Sequence, residues 1–141
     1  MSKTINTKID DGILTFTFTN NQNEIFASFR LNPTDVNIAA RAEEVSAFFE
    51  KTEETVKNVT SAKEAAKLNE LIQDKINYLL GYEASKDLFR EPITATTVFG
   101  NGQMFANIVL DKVADAIAPE IEKRRKKMQA EVDKYTEKYT K

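Results

Sequence analysis

Phe29-Arg30-Leu31-Asn32-Pro33-Thr34-Asp35-Val36 is where this chain changes period. Before it, apolar residues alternate as they do along a β-strand. After it, they recur every three or four residues, as on one side of a helix. Asn32 carries an oxygen that can cap a helix, and Pro33 brings the preset φ of a first helical residue. Asp35 adds negative charge near the positive end of the helix dipole. Ile38, Ala42, Val45, Phe49, Thr52, Val56 and Val59 follow at alternating spacings of four and three, with Phe48 widening the row. This predicts a first helix over 33–58 with one apolar seam, which sets the fold.

Upstream, residues 13–19 alternate cleanly, with Leu14, Phe16 and Phe18 opposed to Ile13, Thr15, Thr17 and Thr19. Residues 3–9 alternate weakly, and residues 24–31 form a further strand in which Ile25 and Ala27 are offset from Phe26 and Phe29. Asp10-Asp11-Gly12 and Asn20-Asn21-Gln22-Asn23 supply the turns. The expectation is a three-stranded antiparallel meander with one apolar face, which needs a helix packed against it.

Downstream, Ser61-x-x-Glu64 is a capping box that opens a second helix, and Gly81 is suited to end it. Ala65, Leu68, Ile72, Ile76 and Leu79 form its stripe, with Leu71 and Leu80 alongside. A short turn over 85–89, a block at Pro92 and an extended segment over 93–99 follow. A third helix is expected over 103–118 with Phe105, Ile108, Val109, Val113 and Ile117 inward. Pro119 should kink it or restart it. Beyond Pro119, Ile121, Met128, Val132, Tyr135 and Tyr139 are spaced by seven, four, three and four on an otherwise charged helix. The fold class is therefore α+β and predominantly α: a meander on a helical bundle, with a long charged C-terminal helix. A globular unit over 1–118 is followed by an amphipathic helix over 119–141, either an extension of the same domain or a protruding arm.

The chain has no Cys and no His, which removes thiolate chemistry, the commonest general base and the commonest transition-metal ligand. Glu43-Glu44 and Glu53-Glu54 are neighbours in sequence and diverge around a helix, so neither pair converges on a shared site. Asp10-Asp11-Gly12 lacks the alternating oxygens of a calcium loop, and Gly100-Asn101-Gly102 lacks the Lys-Ser/Thr of a phosphate loop. No catalytic residues, metal ligands or cofactor follow, so the expectation is a protein that is not an enzyme. Net charge is only −2. The segment 119–141 holds eight Lys/Arg against five Asp/Glu, while 33–90 holds eight against eleven. Lys123-Arg124-Arg125-Lys126-Lys127 is diluted by acidic neighbours and has no interleaved aromatics, which disfavours nucleic acid. Nothing reads as a signal peptide or a membrane span, and a cytosolic protein is expected. The candidate partner-binding residues are Ile121, Met128, Val132, Tyr135 and Tyr139, with Lys123, Arg124 and Lys127 beside them. Met repacks and Tyr tolerates partial wetting, which suits an adaptable contact.

Two parts of the chain resemble a known family. One is Phe29-Arg30-Leu31-Asn32-Pro33-Thr34-Asp35-Val36-Asn37 with Glu43-Glu44-Val45 and Phe48-Phe49. The other runs from Leu88-Phe89 through Val98-Phe99-Gly100-Asn101-Gly102 to Ile108 and Val113. Together they resemble the small tail assembly chaperones of long-tailed phages and of phage-like elements of Gram-positive bacteria. The resemblance implies a non-enzymatic protein of the bacterial cytoplasm. It would bind the long helical tape measure protein and keep it soluble while tail tube subunits polymerise, with the tube subunit itself a further candidate partner. The alternative is a structural or self-assembling particle component, a homo-oligomer joined through its C-terminal helix.

Overall fold

A computed structural model describes residues 2–139, and the side chains of residues 2–138. Two strands precede four helices: β1 (Leu14–Thr19), β2 (Ile25–Leu31), α1 (Val36–Lys57), α2 (Ala62–Leu80), α3 (Ser85–Leu88) and α4 (Phe105–Tyr139). The fold is mixed α and β, mainly helical.

β1 and β2 form an antiparallel two-stranded sheet in which Phe16 faces Phe29, with a register shift after Phe18. The third strand expected over 3–9 is absent, so there is no meander. Asp10 and Asp11 instead accept the backbone N–H groups of Gly12 and Ile13, each at 3.0 Å, closing local turns. Ile5 and Ile9 stay 87% and 77% exposed. Two isoleucines among Lys, Thr and Asn bring too little apolar surface to hold an added strand in place. The facing within β2 also differs from expectation. Ala27 shares the buried side with Phe29 and Leu31, while Phe26 is half-buried.

The start of α1 lies three residues later than expected. Asn32 does not cap it. Its Oδ1 accepts the Thr34 N–H at 3.1 Å, and its carbonyl accepts the Asp35 N–H at 3.2 Å. Residues 32–35 thus form a turn with Pro33 buried. Asp35 is the cap, accepting from the Asn37 N–H at 2.9 Å. Ile38, Val45, Phe49 and Thr52 of the seam are buried, and Thr52 satisfies its hydroxyl on the Phe48 carbonyl. Val56 leaves the core and is 49% exposed, on the wall of an open groove that it shares with Thr52, Ile72 and Met104.

α2 begins as expected. The Glu64 N–H donates to Ser61 Oγ at 3.2 Å, and the Glu64 carboxylate reaches back to the Thr60 N–H at 3.1 Å. It ends at Gly81, whose φ of 79° is left-handed. A Cβ there would lie 3.3 Å from the Arg41 guanidinium, which itself bonds the Leu79 carbonyl. Asn77 then ties α2 to α3 through the Ser85 N–H and hydroxyl.

Phe105 opens α4 and is the hub of the core. It is fully buried and its ring meets those of Phe18, Phe26, Phe89 and Phe99 at centroid distances of 5.2–5.9 Å. The loop before it satisfies the helix's first donors: the Phe105 and Ala106 N–H groups give to the Thr97 and Ala95 carbonyls, each at 2.9 Å. The extended segment over 93–99 contributes a single bridge, Val98 to Met104. Val109, Val113 and Ile117 continue the buried face of α4, with Ile108 half-buried.

The expected break at Pro119 is not an end or a restart. α4 runs through it as one helix of 35 residues. Pro119 gives no N–H to the Asp115 carbonyl, but both residues are on the exposed side, where water can serve that oxygen.

Candidate functional site

Past Glu120 the burial of α4 stops. From Ile121 to Lys138 every described side chain is exposed apart from the half-buried Arg124. The 21 residues of helix beyond Ala118, to Tyr139, extend for about 30 Å, at 1.5 Å per residue. The candidate residues sit on this stretch. Ile121, Met128, Val132 and Tyr135 are 47%, 69%, 56% and 61% exposed. Met128, Val132 and Tyr135 border one shallow depression of about 520 Å3 with Lys127 at its edge. Met128, Val132 and Tyr135 of the row read from spacing thus share one exposed strip, and Ile121 is exposed nearer the body. The side chain of Tyr139 lies outside the described part of the chain.

The basic run is distributed around this helix. Lys123 pairs with Glu120 at 3.5 Å. Arg125 grips Glu122 with two nitrogens, at 3.2 and 2.7 Å. The hydrogen bonds from Arg125 and its charge hold the Glu122 carboxyl below its ordinary range, and Glu122 in turn raises the guanidinium's. Two of the five cations of the run are thus already matched within one turn of helix. This supports reading the run as a solvated face around an apolar strip.

The base of the strip adds something the sequence reading missed. Ile121 lies at the mouth of a groove of about 410 Å3 between α1 and α4. Its walls are largely alanine, including Ala42 and Ala47 on α1 and Ala114 and Ala118 on α4, with Glu43 and Glu50 on the α1 side. The signal was present in the alanines at these positions. It was invisible because the groove exists only where two helices distant in sequence diverge.

Glu44, of the first acidic pair, accepts the Tyr78 hydroxyl at 2.7 Å. That bond, with lesser help from desolvation, pushes the phenol above its usual value. It ties α2 to α1 and forms no acid/base pair with a cleft. A second groove of about 600 Å3 is bounded by Phe49, Thr52, Val56, Ile72 and Met104, where α1 passes the loop before α4. Among the described residues no group of acidic side chains is placed to hold a metal ion. No described helix is long and apolar enough to cross a membrane. Comparison with known proteins returns no match, whether to a family model, a curated protein or a solved structure.

Proposed function

We propose that this protein is a non-enzymatic tail assembly chaperone that binds a tape measure protein and keeps it soluble in the bacterial cytoplasm while the tail tube assembles. The observation that carries the reading is the exposed strip Ile121–Met128–Val132–Tyr135 on a helix otherwise lined with charge. A long helical partner that has not yet met its tube would expose apolar helical stripes. A helix laid along such a stripe removes it from water, and the charged outer faces keep the pair soluble. The resemblance of the segments around Phe29–Asn37 and Val98–Gly102 to tail assembly chaperones points the same way. The role needs no cofactor and no nucleic acid.

Co-expression with the tape measure protein of the same element tests this. The full chain is expected to move that protein into the soluble fraction. Replacing Met128 and Val132 together by Glu is expected to abolish the effect while leaving the fold intact. Equal precipitation with and without the full chain refutes the reading. A second reading, a self-assembling particle component, is favoured by the groove that continues the strip onto the body. It predicts that the chain remains in purified particles.

A further inference from the structure

The strip and the groove lie on one line. Ala114, Ile121, Met128 and Tyr135 are seven apart, and so are Ala118, Arg125, Val132 and Tyr139. These are the two interleaved rows of a seven-residue repeat, the pattern that packs helices side by side. The row is small where α4 leaves the body, at Ala114 and Ala118, and large at the far end, at Tyr135. The groove of about 410 Å3 lies at the small end.

We propose that a second copy of this chain covers the strip: two arms pair antiparallel, and the tip of each lies in the α1/α4 groove of the other. Three features select this arrangement. First, shape. With Ile121 opposite Val132 of the second copy, Tyr135 falls opposite Ala118, large against small, and symmetry repeats the match at the other end. Second, charge. A parallel pair in register would stack Arg125 on Arg125. The antiparallel pair sets each Arg125 beside Met128, and its guanidinium arrives already matched by Glu122 through two hydrogen bonds, so no isolated charge is buried. In the same register Arg124 meets Glu131 across the seam, twice by symmetry. Glu43 and Glu50 line the α1 side of that groove, and the incoming tip carries Lys134. Third, room. The bodies end near Ile117, so the two lie about 28 Å apart along the paired arms and do not collide.

The pairing stands apart from the tape measure reading, since it is measured with no partner present. If both hold, a partner helix must displace the second copy from the same strip.

The chain has no cysteine, so introduced ones report cleanly. Ile121→Cys and Val132→Cys are made singly, with circular dichroism to check that each keeps its helix. Under mild oxidation, an equimolar mixture is expected to cross-link into a mixed disulfide, while each variant alone cross-links poorly. Sedimentation equilibrium of the unmodified chain at roughly 100 µM should give twice the chain mass. Arg124→Glu should weaken association about tenfold, and adding Glu131→Arg to it should restore most of the loss. Ala118→Trp, which fills the groove, should give a folded monomer. A chain that stays monomeric overturns the proposal. So does self-cross-linking of each single variant in preference to the mixture, which means parallel arms. A dimer indifferent to Ala118→Trp and to the charge exchange overturns it as well.

Discussion

Replacing Phe105 by Ala should cost this fold about 4 kcal/mol. The side chain is fully buried, and four other phenylalanine rings surround it. Truncating a buried Phe to Ala costs about 3–5 kcal/mol from lost transfer energy and the cavity left behind. The packing here favours the middle or upper part of that range. Phe18, Phe89 and Phe99 meet Phe105 near edge-on, and rigid rings cannot collapse into the void. Phe105→Leu keeps most of the volume and loses the ring geometry, so about 1–1.5 kcal/mol is expected. The assay is urea unfolding followed by far-UV circular dichroism. With a slope of about 2 kcal/mol/M, the Ala variant's midpoint should fall by about 2 M and the Leu variant's by less than 1 M, the slope being unchanged. A loss below about 2 kcal/mol for Ala, or equal losses for Ala and Leu, would refute the role of Phe105 as the pin between sheet, loop and α4.

Removing residues 122–141 should shift the Tm of the dilute monomer, followed by circular dichroism at about 1 µM, by no more than about 2 °C, because the described side chains there are exposed or half-exposed. Pro119→Ala restores a donor to the Asp115 carbonyl and removes the ring's clash, so it should stabilise α4 by up to about 3 kcal/mol, read as greater helicity and slower proteolysis near residue 119. Glu122 has a carboxyl held below its ordinary 4.5. Its contribution to arm helicity is therefore present above pH 4.5 and is lost as pH falls through the folded-state value, and Arg125→Gln should flatten that acid titration of the dichroism signal. Gly81→Ala, at a left-handed φ of 79° and with Arg41 at 3.3 Å, should cost about 1–2 kcal/mol in urea unfolding.

Much of the helical layout was legible because it is local. The Ser61/Glu64 box and the stop at Gly81 each need only residues within a turn of one another, and the structure has both. The inward faces of α2 from Leu68 onward and of α4 follow from period, since a helix repeats its side every three to four residues, whereas Ala65, expected on the α2 stripe, is exposed. The errors came where a local signal had a rival. Asn32 and Asp35 are both competent caps, and the buried Pro33 turn gave the helix start to Asp35. Residues 3–9 alternate, but alternation does not say whether a strand brings enough apolar surface to stay. Of the kink and the restart expected at Pro119, the restart does not occur: the helix passes through, with Asp115, whose carbonyl loses a donor, on the exposed side.

By itself, then, the sequence determined the alternation of residues 13–19, the helical seams and the spacing of the apolar row from Ile121 to Tyr135, all of which depend on spacing along one element. Only the tertiary structure decided where burial stops along α4, that Val56 is left outside the core, and that alanines from α1 and α4 meet to leave a groove at the foot of the arm. The physical reason is that burial belongs to pairs of elements. Residues 42 and 118 become neighbours of the same space only when their helices are placed, and no period along one chain segment encodes the gap between two.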